Sequence, residues 1–153
     1  NGINRTVFIK MVIIYTDGAC SGNPGVGGWG AVIIDNTSKP IFLNGGEDNT
    51  TNNRMELSAA INAINYCENK KDLEIFTDSK YVKDGIESWI KKWKINGWKT
   101  ASKKPVKNKD LWIKLDQEIT KHNIKWNWVK GHANIEFNEK ADFLARKYIE
   151  ENN

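Results

Sequence analysis

The stretch MVIIYTDGACSGNPGVGGWGAVII, residues 11–34, decides the fold. It opens with a continuous apolar, β-branched run, which is typical of a strand buried on both faces, and Trp29–Ile34 form a second such run. A third strand is expected in KPIFLNGG, residues 39–46. Because the connections between these runs are short and rich in Gly, Asn or Asp, we predict three antiparallel neighbours.

Gly25, Gly27 and Gly30 match the G-x-G-x-x-G spacing of a dinucleotide-binding loop. Such a loop must open a helix, because the pyrophosphate needs the free N–H groups of a helix N-terminus. Here the glycines lead into AVII, residues 31–34, which is a strand former. The pattern therefore indicates a hairpin and not a nucleotide site.

Helices and strands alternate in the rest of the chain. A helix is predicted within residues 50–71, with Thr51 or Asn52 as its cap, and a short strand follows at Leu73–Asp78. A strand, a helix and a strand in this order predict a right-handed crossover and parallel pairing.

Further helices are predicted after Ser79, over Asp110–His122 and at the end of the chain, with a strand in IKWNWVK, residues 124–130. The order β-β-β-α-β-α-α-α-β-α indicates an α/β fold. We expect a mixed five-stranded sheet, three antiparallel strands followed by parallel additions, with helices on both faces.

Length and composition favour one domain. The 153 residues, 39% of them hydrophobic, suffice for one core and not for two, so we predict a single domain over residues 11–150, with residues 1–10 as an N-terminal extension. Two cysteines without a CxxC and two histidines do not form a usual zinc site or a disulfide framework, which favours a reducing, cytoplasmic setting. No apolar run approaches the roughly 20 residues of a membrane span, and no signal segment opens the chain, so no membrane partner is expected.

The positive charge is concentrated in one segment. The chain carries a net +4, but Lys80–Lys109 contain ten lysines and two acids, so this segment carries +8 and the remainder −4. A basic segment on a slightly acidic body favours a polyanionic partner.

Four carboxylates occupy positions where solvent-facing side chains are not expected. Asp17 and Asp78 terminate apolar strands, Glu56 is expected to face the sheet from its helix, and Asp142 lies between two alanines of a buried stripe. An Asp at a strand end is often a turn residue, but an unpaired ionised group facing a core costs roughly several kcal/mol. No Arg or Lys stands at an obvious partner position beside all four. Clustered carboxylates without cations indicate a site for a hard divalent metal such as Mg²⁺.

Four motifs carry a resemblance to a known family, in order along the chain: YTDGACSGNPGVGGWGAV (15–32), NNRMELSAAI (52–61), TDSKYVKDGI (77–86) and VKGHA with NEKADFLAR (129–133 and 138–146). Together they closely resemble ribonuclease H of type 1, the bacterial ribonuclease HI form, over nearly all of Met11–Tyr148. The resemblance implies a ribonuclease-H-like fold and endonucleolytic cleavage of the RNA strand in RNA·DNA hybrids.

By this resemblance, Asp17, Glu56, Asp78 and Asp142 are the metal-binding catalytic carboxylates, and His132 is a mobile histidine near the scissile phosphate. Two Mg²⁺ ions about 3.5–4 Å apart, with Mn²⁺ as a possible substitute, would activate the attacking water and stabilise the leaving 3′ oxygen, giving 5′-phosphate and 3′-hydroxyl ends. A histidine titrates near neutral pH, so His132 is expected to shuttle protons or help product release.

The resemblance also implies contacts with the hybrid. The residues expected to contact the RNA 2′-hydroxyls are Cys20, Asn23, Asn52 and Asn53. Lys80 stands where related enzymes often have Gln. Thr51 with Asn23 resembles a pocket for a phosphate of the DNA strand. The segment SWIKKWKINGWKTASKKPVKNK, residues 88–109, resembles the basic handle of bacterial ribonuclease HI. Its expected substrate contacts are Trp89, Lys91, Lys92, Trp93, Trp98 and Lys99, although these tryptophans also fit a helix pair packed on the body. We expect the chain to act as a monomer that needs no protein partner.

One stretch departs from the family pattern. Asn134–Phe137 read NIEF where the family commonly has Gly followed by His-Pro or similar residues. We expect this change to alter the mobility of the His132 loop and the pH profile more than the activity itself.

Three alternatives remain at this point. A hybrid-binding module without activity would not need four mutually repelling acids. Integrases, transposases and exonucleases share the fold and the metals but would not need the Cys20, Asn23, Asn52 and Asn53 set. A ribonuclease H domain fused to a reverse transcriptase is the third.

Overall fold

The computed structural model describes residues 11–36, 39–130 and 135–153. Its core element is a five-stranded sheet, whose strands are β1 (Val12–Gly22), β2 (Gly25–Ile34), β3 (Ile41–Thr50), β4 (Asp72–Thr77) and β5 (Asn123–Trp128). The strand order is β3-β2-β1-β4-β5. Pairing is antiparallel across β3, β2 and β1 and parallel from β1 through β4 to β5, as the sequence predicts.

The helices are α1 (Asn52–Tyr66), α2 (Lys80–Asp84), α3 (Ile90–Asn96), α4 (Lys109–Ile119) and α5 (Ile135–Asn152), with a π-helical turn at Gly85–Trp89 between α2 and α3. Thr51 caps α1 by accepting a hydrogen bond from the Arg54 N–H at 3.2 Å, and Ser79 caps α2 in the same way with Val82. Both caps confirm the predicted helix starts.

Side chains alternate along each strand, so both faces of the sheet carry apolar residues. Helices cover both of these faces. Ile14 belongs to the large core that α1 and α4 close, with the fully buried Trp112, whereas Tyr15 packs against Ala141 and Leu144 of α5. The predicted α/β architecture is confirmed.

Asp17 does not end its strand, contrary to the prediction. β1 continues to Gly22, and Asp17 pairs with Gly30 in the hairpin with β2. The parallel pairing of β1 with β4, however, stops at Tyr15 and Phe76. Asp17 therefore lies beyond the last parallel pair although it is inside a strand.

The glycines of residues 25–30 lie inside β2 and not in a loop before it. A side chain at Gly28 or Gly30 would overlap the backbone carbonyls of Ala145 or Ala141 on α5. These glycines let α5 approach the sheet closely, and this approach determines where Asp142 lies.

Among the described residues, no helix combines the length and the apolar character that a membrane crossing requires.

Candidate active site

Three carboxylates from separate elements meet at the end of the parallel strand pair. Asp17 of β1, Glu56 of α1 and Asp78, just after β4, each place one carboxylate oxygen within 4.8 Å of the others. Asp17 and Asp78 are both two residues beyond the last parallel pair, so they lie side by side at this edge. Glu56 reaches them because Gly18 has no side chain, and a Cβ there would lie 2.5 Å from the Glu56 backbone nitrogen. We call these three residues and Asp142 the acid cluster.

Burial and the neighbouring acids raise the pKa values of Asp17 and Glu56. Burial, followed by the charges of Asp78 and Asp142, raises the pKa of Asp17 to about 8, although the Gly18 N–H donates to its Oδ1 at 2.9 Å. The Glu56 side chain is buried, and burial together with Asp17 and Asp78 holds its pKa well above the usual range. Its Oε1 has no hydrogen-bond partner among the described residues. Among the residues that the structure describes, no cation pairs with the buried Glu56 end of the cluster.

Asp142 joins the cluster from α5. Its carboxyl lies close enough to share a hydrogen bond with Asp17, and its charge raises the pKa of Asp17. The Arg146 Nε donates to the Asp142 Oδ2 at 2.8 Å. Arg146 is thus a cation partner for one of the four acids, and the i,i+4 spacing on a predicted helix is the signal that indicates it.

Asn138 is a further polar residue that the sequence analysis did not single out. It lines a small cavity with Thr16, Asp17 and Asp78, and its Nδ2 is buried without a hydrogen-bond partner among the described residues. It lies one helical turn before Asp142, and this i,i+4 spacing is the only signal of its position in the sequence.

The residues expected to read the hybrid lie where the β1–β2 hairpin meets the start of α1. The Asn23 Oδ1 accepts a hydrogen bond from the Asn52 N–H at 3.0 Å, and the Cys20 Sγ is 3.3 Å from the Thr50 carbonyl oxygen. Thr51 caps the helix, and Asn53 follows on its first turn. Cys20, Asn23, Thr51, Asn52 and Asn53 therefore share one surface region.

Lys80 lies at the start of α2, two residues after Asp78. It is exposed on the first turn of α2 and lines an open depression of about 640 Å³ together with Asp78.

The aromatic residues of the basic segment form a separate cluster. Trp93 packs against Trp89, Trp98 and the buried Trp112, with ring centroids 5.6–6.0 Å apart. Trp89 and Trp93 also line an apolar hollow with Tyr81. The tryptophans are half-buried, whereas Lys91, Lys92 and Lys99 are exposed. This arrangement combines aromatic packing on the body with a solvated lysine face.

His132 and Asn134 lie outside the described residues, so what is expected of the histidine loop stays a prediction.

The chain is similar in sequence and in fold to known proteins. A family model described as RNase H matches residues 9–150. The protein named Ribonuclease H from Francisella philomiragia is 59% identical over 148 residues, which cover 95% of this chain and 96% of that protein. The crystal structure of LC9-RNase H1, described as a type 1 RNase H with the type 2 active-site motif, superimposes with a TM-score of 0.82 at 31% identity, over 96% of this chain and 75% of that chain. LC11-RNase H1, solved in complex with an RNA/DNA hybrid, shares the fold with a TM-score of 0.69 at 23% identity, over 92% of this chain and 97% of that chain.

Proposed function

Because the chain belongs to the ribonuclease H family, we propose that it is an endonuclease that hydrolyses the RNA strand of RNA·DNA hybrids. Water acts as the nucleophile, and the products carry 5′-phosphate and 3′-hydroxyl ends. The single observation that carries the proposal is the acid cluster, in which oxygens of Asp17, Glu56 and Asp78 lie within 4.8 Å of one another.

The acid cluster fits divalent cations. The buried Glu56 Oε1 has no hydrogen-bond partner among the described residues, and the pKa values of Asp17 and Glu56 are raised by burial and by the neighbouring acids. A hard divalent cation would bind the unpartnered Glu56 oxygen and would stabilise the ionised forms of Asp17 and Glu56. Asp17, Glu56, Asp78 and Asp142 would hold two Mg²⁺ ions, with Mn²⁺ as a substitute. When bound, the ions supply a nucleophilic water and neutralise the charge on the leaving oxygen.

The chain's own residues position the acids and handle protons. Arg146 donates to one oxygen of Asp142 at the surface of α5 and so pairs with that carboxylate. The Asn138 amide faces the same cavity as Asp17 and Asp78, where it can hold a water or a phosphate oxygen. His132 shuttles protons or assists product release.

Recognition of the hybrid uses both flanks of the cluster. Cys20, Asn23, Asn52 and Asn53 contact ribose 2′-hydroxyls, and Thr51 with Asn23 holds a phosphate of the DNA strand. This assignment is supported by the hydrogen bond that joins Asn23 to Asn52 at the start of α1. The basic segment acts as a handle in which Trp89, Trp93 and Trp98 form the rigid base and Lys91, Lys92 and Lys99 contact phosphates.

A monomer suffices for this function, since every member of the acid cluster comes from one chain. The free Cys20 and Cys67 thiols support a cytoplasmic enzyme, because disulfides are rare in a reducing compartment.

The test is cleavage of four labelled duplexes by the purified protein in Mg²⁺, in Mn²⁺ and in EDTA. The duplexes are an RNA·DNA hybrid labelled on either strand, RNA·RNA and DNA·DNA. We expect cuts only in the RNA strand of the hybrid, none in EDTA, and fragments with 3′ ends that a polymerase extends directly. A hybrid that is bound but stays intact in both metals would make the protein a binding module. Cleavage of DNA·DNA would assign it to another nuclease class of the same fold.

A further inference from the structure

A cavity of about 460 Å³ lies between α1, α4 and the paired strands β2 and β3. Its lining residues recur three or four positions apart on each helix, so one face of each helix forms a wall. Trp29 of β2 lies on the third side. Of the lining residues that the structure describes, none belongs to the acid cluster, and we call this space the α1–α4 cavity.

Glu118 of α4 lines the α1–α4 cavity and has one carboxylate oxygen without a partner. Its Oε1 is buried and has no hydrogen-bond partner within the described parts of the chain, whereas its Oε2 lies 3.4 Å from the Lys121 Nζ. The whole side chain is only 15% exposed. A buried acceptor that loses water without gaining a donor destabilises the fold, so the Glu118 Oε1 favours a ligand that donates a hydrogen bond.

Other polar groups of the cavity also favour a donor. The Asn62 Nδ2 donates to the Ser58 carbonyl oxygen at 2.8 Å, and the amide oxygen of Asn62 can accept from a ligand. Glu47 is the second acid of the lining, but its carboxylate lies 3.7 Å from the Arg54 Nε. Glu118 is therefore the acid whose free oxygen can pair with a cation.

Apolar side chains complete the cavity. Trp29, Ile61 and Leu111 line it and are partly buried. The Trp29 indole lies against Gly45, where a Cβ would be 2.9 Å from the ring atoms. An indole near a carboxylate suits an ammonium group on a short carbon chain, because the ring attracts the cation and the chain buries apolar surface.

We propose that the α1–α4 cavity binds a small organic amine, whose ammonium group donates to the Glu118 Oε1 and whose carbon chain packs on Trp29 and Ile61. A volume of about 460 Å³ is within the range of small-molecule sites. The inference does not depend on the proposed function, since its residues belong neither to the acid cluster nor to the surface expected to contact the hybrid.

The test is a titration of the ¹⁵N-labelled protein with 1,4-diaminobutane in EDTA, followed by NMR. The indole N–H resonances of the seven tryptophans report separate regions, and that of Trp29 is assigned with Trp29→Phe. We expect the diamine to shift the Trp29 resonance and to leave unchanged that of Trp128, whose Nε1 donates to Glu87. The neutral probe 1,4-butanediol, which has the same chain length, should shift neither resonance.

Glu118→Gln should weaken diamine binding about 10-fold, because the carboxylate that pairs with the ammonium group is lost. Asn62→Leu removes the second acceptor at similar volume and should weaken binding about 3-fold. Glu150→Gln is the matched control, since it removes the same charge from an exposed residue of α5, and it should keep the wild-type affinity.

Asp17→Asn shows whether the amine binds at the acid cluster instead. If Asp17→Asn abolishes diamine binding and Glu118→Gln does not, or if the Trp29 resonance does not move, the inference is wrong. It is also wrong if butanediol shifts the Trp29 resonance as far as the diamine does, because the charge of the ligand would then have no role. Loss of binding in Glu118→Gln together with full binding in Asp17→Asn would assign the amine to the α1–α4 cavity.

Discussion

Two charged groups that start only two residues apart on α1 are organised in opposite ways. Arg54 donates to both oxygens of Asp110 at 3.0 and 2.9 Å and to the Asn108 Oδ1 at 3.2 Å, and its Nε lies 3.7 Å from Glu47. We call these residues the Arg54 cluster. Glu56, by contrast, points into the acid cluster, where the described residues leave its Oε1 without a partner.

The pKa shifts have opposite signs in the two clusters. The Arg54 guanidinium holds the pKa of Asp110 below its usual value, whereas burial and neighbouring acids raise the pKa of Asp17 to about 8. A paired carboxylate stabilises the fold, and a crowded, buried one destabilises it. This difference supports the proposal that the acid cluster binds a ligand, whereas the Arg54 cluster stabilises the fold.

Asp17→Asn should give the largest effect and separate the two clusters most clearly. Hybrid cleavage in Mg²⁺ should fall by about 10³-fold or more, because a cation ligand is lost. The free energy of unfolding in EDTA at pH 8 should rise by on the order of 1 kcal/mol or more, because a repelling buried charge is removed. Single-turnover cleavage and urea unfolding measure the two quantities.

Asp110→Asn is the matched control for this substitution. It makes the same chemical change at a carboxylate with a cation partner, so stability should fall and cleavage should stay within about 3-fold of wild type. If Asp17→Asn destabilises the protein as Asp110→Asn does, the acid cluster is not the strained site that we describe.

The pH dependence of stability should show both clusters. Asp17 has a folded-state pKa of about 8, above the unfolded value of about 3.8, so the folded state binds more protons between these pH values. Stability in EDTA should therefore fall progressively as pH rises from about 4 to 8. Asp110, whose pKa is lowered, contributes stability that is present above the unfolded pKa and is lost as pH falls below about 4.

Urea unfolding at a series of pH values, repeated with Mg²⁺, measures this profile. Added Mg²⁺ should raise stability more at pH 8 than at pH 5, because it binds the ionised acids. Asp17→Asn should flatten the slope between pH 5 and 8. A wild-type profile in EDTA that is already flat there would contradict the raised pKa.

Arg54→Met should lower the free energy of unfolding by about 1–2 kcal/mol, because the bidentate pair with Asp110 and the contact with Glu47 are lost from a side chain that is only 23% exposed. Arg54→Lys keeps the charge but not the planar fork, so its loss should be intermediate. Chemical unfolding measures both variants. If Arg54→Met is as stable as wild type, the Arg54 cluster does not stabilise the fold, and the proposed difference between the two clusters is wrong.

Much of the fold and of the acid cluster can be predicted from the sequence, because the information is local. Apolar runs, the caps Thr51 and Ser79 and the position of Glu56 next to a helical stripe need only spacing within one element. The strand order follows from short hairpins and one right-handed crossover.

The features that were missed depend on contacts between distant elements. Nothing in the sequence near Gly28 shows that Ala145 will lie against it, so the second strand is predicted to begin at Trp29, whereas β2 begins at Gly25. The π-helical turn at Gly85 is similar, since a side chain at Gly85 would overlap Trp112 of α4. The pairing of Arg54 with Asp110 also joins residues 56 positions apart. Such contacts require the folded arrangement.

Arg146→Gln should have the smallest effect of these substitutions. It removes the ion pair with Asp142, which is the feature that the acid cluster shares with the Arg54 cluster. The Arg146 Nε holds the Asp142 Oδ2 at 2.8 Å, but the side chain is 60% exposed, so the ion pair is worth less than about 1 kcal/mol. A cation that binds Asp142 must compete with this guanidinium. Removing it should tighten Mg²⁺ binding to the free protein by up to about 5-fold, as measured by calorimetric titration.

Lys147→Gln is the control for Arg146→Gln, because it removes the same charge from the next residue, which lies 4.0 Å from Glu151 and not at the acid cluster. If both variants bind Mg²⁺ more tightly and by the same factor, the gain comes from the lower net positive charge of the protein. The ion pair between Arg146 and Asp142 then has no local effect on the affinity. If Arg146→Gln weakens Mg²⁺ binding, the ion pair orients Asp142 as a ligand more than it competes with the cation. In that case Arg146 would stabilise the acid cluster for its ligand, whereas Arg54 stabilises the fold itself.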